Sequence, residues 1–269
     1  MSHSGFRAAS AVLVAIEMQS EITNFNYVIE SPMKNKFLLA VFMLAVLVVK
    51  STFAQSAAIT GAWQIKDADK EQVLIFQDGV FYHTVYNEAE KRFVYSRGGT
   101  YTQNSNALVL KISFNSEQKE EVGKQFSVKY STRANTITLP IHGEAQTWKR
   151  LDNSAAPLAG VWRITSRMQD GKLTPIHQTG SRQTYKVLTG TRFQWAAIDP
   201  DKKEFSGTGG GTYTFANGKY TETIQFFSRD SSRVGASLSF DGKLENGEWH
   251  HRGKSSKGEP IYEVWSRVK

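Results

Sequence analysis

The sequence predicts an all-β protein made of two tandem antiparallel up-and-down β-barrels behind an N-terminal signal peptide. Three observations carry that prediction. One half of the chain repeats in the other, the segments alternate apolar and polar residues with period 2, and Asn-Gly and Asp-Gly pairs punctuate them.

Taken from the beginning, residues 1–32 precede the methionine that makes sense as a start, and they are expected to be a non-native extension. Met33-Lys34-Asn35-Lys36 is basic, Phe37 to Val49 is an apolar run, and Lys50 to Gln55 carries the small residues that a signal peptidase reads. This is the three-part signature of a secretory signal peptide over 33–54, with cleavage near Ala54. The alternative is a membrane anchor, but the 13-residue run spans only about 20 Å as a helix, against about 30 Å of bilayer core. The expected mature protein is therefore secreted or periplasmic, with no stable membrane span after processing.

The remainder divides into barrel 1 over 55–152 and barrel 2 over 153–269. Ile59-Thr60-Gly61-Ala62-Trp63 recurs as Leu158-Ala159-Gly160-Val161-Trp162 at an offset of 99. Gly98-Gly99-Thr100-Tyr101-Thr102 recurs as Gly210-Gly211-Thr212-Tyr213-Thr214 at 112, and Trp148-Lys149-Arg150 as Trp265-Ser266-Arg267 at 117. From Phe81/Phe193 to Ile137/Trp249 the halves align without gaps, and 14 of 57 positions are identical, where chance gives about three or four. The boundary, Asp152 to Pro157, is polar, small and proline-containing, which suits a linker.

Within each half about eight strands are expected. Lys219 to Phe227 and Val234 to Asp241 alternate with period 2. Turns are expected at Ala216–Lys219, Asp199–Lys203, Asp241–Lys243 and Glu245–Glu248. Consecutive hairpins without long crossovers favour a closed barrel over a sandwich.

Gly61-x-Trp63 and Gly160-x-Trp162, each opening a first strand, resemble the Gly-x-Trp signature of lipocalins and other calycins. In that family the tryptophan closes one end of the barrel and an arginine from the last strand packs over it. The resemblance implies that role for Arg150 and Arg267. The mature chain is similar to tandem lipocalin-like proteins exported by Gram-negative bacteria, most of them functionally undefined.

Composition narrows the chemistry. There is no cysteine, which excludes disulfides, thiolate metal sites and cysteine nucleophiles. No Gly-x-Ser-x-Gly elbow is present, and the glycine run at 207–211 lacks the Gly-Lys-Ser/Thr of a phosphate loop, so it reads as a bulge where backbones approach closely. His250 and His251 are adjacent on a strand and point to opposite faces, so no metal site is expected, and no cofactor.

Alternation places Tyr185, Val187, Phe193, Trp195, Tyr220, Glu222, Ile224, Phe226, Leu238, Phe240, Trp249 and His251 inside the second barrel. Candidate ligand-binding residues are Phe193, Trp195, Tyr220, Glu222, Trp249 and His251: an aromatic wall with two polar handles. Glu222 aligns with Leu110, so a cavity function is expected in the second barrel. That half also carries the charge, with 17 Lys+Arg against 11 Asp+Glu over 153–269, compared with 12 against 11 over 55–152. Arg229, Arg233, Arg252, Lys254 and Lys257 are the expected basic rim, suited to steering an anionic guest. The expected function is an exported non-enzymatic binding protein for a small hydrophobic or anionic ligand. The alternative is a solid-barrelled structural protein contacting an envelope partner, and export disfavours nucleic acid.

Overall fold

The computed structural model describes residues 59–67, 69–255 and 257–268, and the expected extension (1–32) and signal peptide (33–54) lie outside them. Among the described residues no helix is long and apolar enough to cross a membrane. Two antiparallel sheets organise them and contain about two thirds of them.

The first sheet contains β1 (Gly61–Lys66), β2 (Glu71–Gln77), β3 (Val80–Asn87), β4 (Arg92–Gln103), β5 (Ala107–Asn115), β6 (Gln125–Lys129), β7 (Ser131–Arg133), β8 (Thr136–Leu139) and β9 (Gln146–Asp152). Its order is β6-β5-β4-β3-β2-β1-β9-β8-β7, a nearly closed barrel. The two edge strands are consecutive in the chain and separated only by Tyr130.

The second contains β10 (Gly160–Gln169), β11 (Lys172–Pro175), β12 (Gln183–Leu188), β13 (Arg192–Asp199), β14 (Glu204–Ala216), β15 (Lys219–Phe227), β16 (Ser237–Glu245), β17 (Glu248–Lys254) and β18 (Pro260–Arg267). Pairing of β10 with β18 closes it, and β11 extends β10 as an outlying hairpin. Each half thus has nine strands rather than eight. In the first, one strand breaks at Tyr130; in the second, β11 is inserted.

The turns follow backbone chemistry. Asn217-Gly218 and Asn246-Gly247 both take positive φ at two successive residues (51° and 71°, 52° and 80°), the geometry of primed hairpin turns. The expected turn at Asp241–Lys243 does not form. Gly242 is part of β16, with its N–H donating to the Gly218 carbonyl at 2.8 Å, while the strand exchanges its partner from β15 to β17.

The Gly-x-Trp motifs work as structural locks. Gly61 has φ +125°, and a Cβ there would sit 2.1 Å from the Asp152 carbonyl oxygen, so no other residue fits. Trp63 Nε1 donates to the Ile59 carbonyl (2.9 Å) and Trp162 Nε1 to that of Leu158 (2.9 Å). Arg150 Cζ lies 3.8 Å from the Trp63 ring centroid and Arg267 Cζ 4.3 Å from that of Trp162. Each arginine also ties its last strand to the segment before the first, Arg150 to the Thr60 carbonyl and Arg267 to that of Ala159.

The barrels are packed flank to flank. Ala62, Val73, Ile75, Tyr82, Tyr86 and Phe114 form one buried cluster with Val161, Val187, Ala196, Ile198 and Phe226. Within it Gln194 accepts from Thr84 Oγ1 (2.9 Å) and donates to Ser96 Oγ (3.0 Å) and Thr208 Oγ1 (3.1 Å). Asp152, ending β9, accepts four hydrogen bonds from Thr189, Gly190 and Thr191 of the second barrel.

This interface corrects three assignments. Tyr185, Val187 and Phe226, expected inside the second barrel, lie on its outer flank against the first. In β12 the inner row is Thr184, Lys186 and Leu188, while the row with Tyr185 and Val187 faces the neighbouring barrel. For Phe226 the cause is a bulge: Gly210 pairs with Phe226 and Gly211 with Ile224, so Gln225 is extra and the alternation shifts by one.

Candidate functional site

The second barrel encloses a cavity of about 780 Å³ that opens at the β10–β11 end. Four of the six sequence candidates line it: Phe193, Trp195, Glu222 and His251. Tyr220 and Trp249 stand behind them in the core, each completely buried. Ile224, Leu238 and Phe240 complete the apolar wall.

The residue that alternation missed is Lys186. It projects inward from β12, almost wholly buried, and its Nζ pairs with Glu222 Oε2 at 2.9 Å. Four aromatic rings surround the ammonium, those of Phe193 (5.1 Å), Tyr220 (5.1 Å), Trp249 (5.4 Å) and Trp265 (5.7 Å). Tyr220 donates its hydroxyl to the same Glu222 oxygen at 2.9 Å. A buried charge pair needs such extra partners to survive desolvation. A lysine between Tyr185 and Val187 reads as solvent-facing; the offset of 112 that equates it with Leu74 is the signal in the sequence.

His251 stacks on Trp249 (5.1 Å) and meets Phe240 edge-on (4.5 Å). Its Nδ1 is buried without a hydrogen-bond partner among the described residues, 3.7 Å from Glu263 Oε2. Burial, with the Lys186 charge adding to it, pushes the imidazole down to about 3, so it is neutral at neutral pH. Burial raises the Glu263 carboxyl above its ordinary value, against a hydrogen bond from Trp265 Nε1 at 3.1 Å. His250 faces the other way, its Nδ1 3.0 Å from the Tyr262 hydroxyl. Among the described residues no three His, Asp or Glu side chains converge on one point.

The first barrel gives the contrast. Register equates Lys186, opposite Trp162, with Leu74, opposite Trp63. Glu222 corresponds to Leu110, and both leucines are buried in the first barrel's core with Phe81, Ile112, Ile137 and Trp148. Toward the open end, Trp195 corresponds to His83, Gly207 to Tyr95 and Gly209 to Arg97, all three first-barrel residues being buried. Tyr95, His83 and His142 pack ring to ring, and Arg97 pairs with Glu121 at 3.4 Å. One barrel is plugged where the other has two glycines.

Two insertions frame the opening. The offset change from 99 to 112 places 13 additional residues between Trp162 and Phe193, which build the β10–β11 hairpin and the segment up to β12. The change from 112 to 117 adds five more to the β17–β18 hairpin. Arg167, His177 and Arg182 of the first insertion line the opening. They replace the expected rim: Arg229, Arg233, Arg252, Lys254 and Lys257 do not line the cavity. Arg233 instead binds Asp230 at 2.9 Å, and β17 runs through to Lys254 rather than ending at a loop after His251.

No protein-family model and no curated protein matches this chain.

Proposed function

We propose that this chain is an exported, lipocalin-like, non-enzymatic binding protein whose second barrel holds a small ring-bearing guest. The observation that carries the reading is the divergence of the two copies. Interior leucines in one are a charged pair in the other, and the plug residues Tyr95 and Arg97 are glycines. A barrel kept only for stability gains nothing from an emptied interior, since unfilled apolar volume is destabilising. A cavity of this size with aromatic walls and a few convergent polar groups is the usual form of a small-molecule site. The first barrel, with its sealed core, serves as the scaffold that supports the second barrel's flank.

The test is native mass spectrometry of the purified processed chain, with a thermal-shift screen of ring-containing compounds. A guest or stabilising compound is expected for the natural chain and lost on Leu238→Trp, which fills the cavity from β16. Absence of any guest, together with stabilisation that survives Leu238→Trp, overturns the reading in favour of a purely structural protein.

A further inference from the structure

The geometry points to a preferred chemistry and orientation for the guest: an amphipathic acid, bound with its acid group at the opening against Arg167 and Arg182 and its rings inside. This rests on the binding reading above and adds a direction to it.

The charges along the cavity are ordered. The acids lining it are Glu222 and Glu263. Lys186 neutralises Glu222 at 2.9 Å, and Glu263 lies across the sheet from Arg167, so the inner wall offers no unpaired cation. An acid group buried there would displace water without gaining an unpaired cation, the costly case for a buried charge. The opening is the reverse. Arg182 stands four residues before Lys186 on β12's approach, so it falls on the same inward row, and Arg167 pairs across the sheet with Glu263. Both arginines are exposed, and neither has a carboxylate at ion-pair distance among the described residues. A guanidinium offers planar paired donors matched to carboxylate, sulfonate or phosphate oxygens.

The insertion is also a reversal of charge. In the first barrel the corresponding β1–β2 connection contains Asp67, Asp69 and Lys70, a net negative loop. In the second, 166–182 contains Arg167, Lys172 and Arg182 against Asp170, a net positive one.

Two dyes separate the acid from the rings: 1-anilinonaphthalene-8-sulfonate, and N-phenyl-1-naphthylamine, which keeps the rings without the sulfonate. Their affinities are measured by fluorescence titration on the processed chain and on the Arg167→Gln/Arg182→Gln double variant, whose exposed substitutions spare the core. The sulfonate is expected to lose at least tenfold in affinity in the double variant and to weaken with salt. The neutral dye should change less than twofold, and Leu238→Trp should abolish both. If both dyes bind in the cavity but the arginine changes alter neither, or alter both equally, the orientation is wrong while the binding reading stands. If neither dye binds, the binding reading falls and the orientation with it.

Discussion

Replacing Lys186 and Glu222 by the leucines that occupy their places in the first barrel asks whether this charged pair is an interior pair or a hydrated one. The side chains are 6% and 11% exposed and 2.9 Å apart. At an effective dielectric of about 20, two unit charges at that distance attract by about 6 kcal/mol, most of which only offsets their desolvation. Lys186→Leu alone strands the Glu222 carboxylate and is expected to cost about 3–5 kcal/mol. Glu222→Leu strands the ammonium and also orphans the buried Tyr220 hydroxyl, which adds about 1–3 kcal/mol. The double variant should return to within about 2 kcal/mol of the natural chain, or exceed it once Tyr220→Phe removes the orphan. The pairwise interaction energy from urea unfolding, followed by tryptophan emission, is therefore expected above about 3 kcal/mol. Single substitutions costing under about 1 kcal/mol each, or a double equal to their sum, would refute the argument: water in the cavity would then be solvating both charges.

Other outcomes follow from the same geometry. His251 has a folded value of about 3 against an ordinary 6.5, so it contributes full stability above pH 6.5 and loses it as pH falls toward 3. The slope is about 1.4 kcal/mol per pH unit, reduced by Glu263, whose raised value acts in the opposite direction. The pH dependence of the urea midpoint between pH 7 and 4 should flatten in His251→Leu, and an unchanged slope would remove His251 as its cause. Gly211→Ala is expected to destabilise by more than about 2 kcal/mol, because its Cβ would lie 2.0 Å from the Thr223 carbonyl oxygen at the bulge. Thermal unfolding at native Tm would contradict that contact. Asp152→Ala removes four acceptor contacts to Thr189, Gly190 and Thr191 and is expected to cost about 1–3 kcal/mol. Hydrogen exchange should rise locally at 189–191, and a response confined to the first barrel would disprove the clamp.

The barrels and their locks were legible in the sequence because their determinants are local or repeated. Gly61, Trp63 and Arg150 recur in order as Gly160, Trp162 and Arg267, and Asn217-Gly218 dictates its own turn. The faces of β12 were not legible. Tyr185 and Val187 look like core residues, but Val187 is buried and Tyr185 half-buried against the neighbouring barrel, so apolar character carries no information about inside and outside there. Lys186 is not marked as interior by its own residue type, since a cation belongs in water unless its partner is known, and Glu222 lies 36 residues away. Part of the clue lies in the contrast of Glu222 with Leu110. The two offset changes held the rest, because extra residues appear only where one copy was remodelled, and both flank the opening.

The flank-to-flank contact has a consequence for the protein's history. With Tyr82, Tyr86 and Phe114 on one side and Val187 and Phe226 on the other, each half cut free would present a greasy wall to solvent and be prone to aggregate. A chain without either copy would leave that wall bare, so the duplicated state is expected to be self-maintaining. Such mutual dependence is what lets one cylinder surrender its filling while its twin keeps the pair folded.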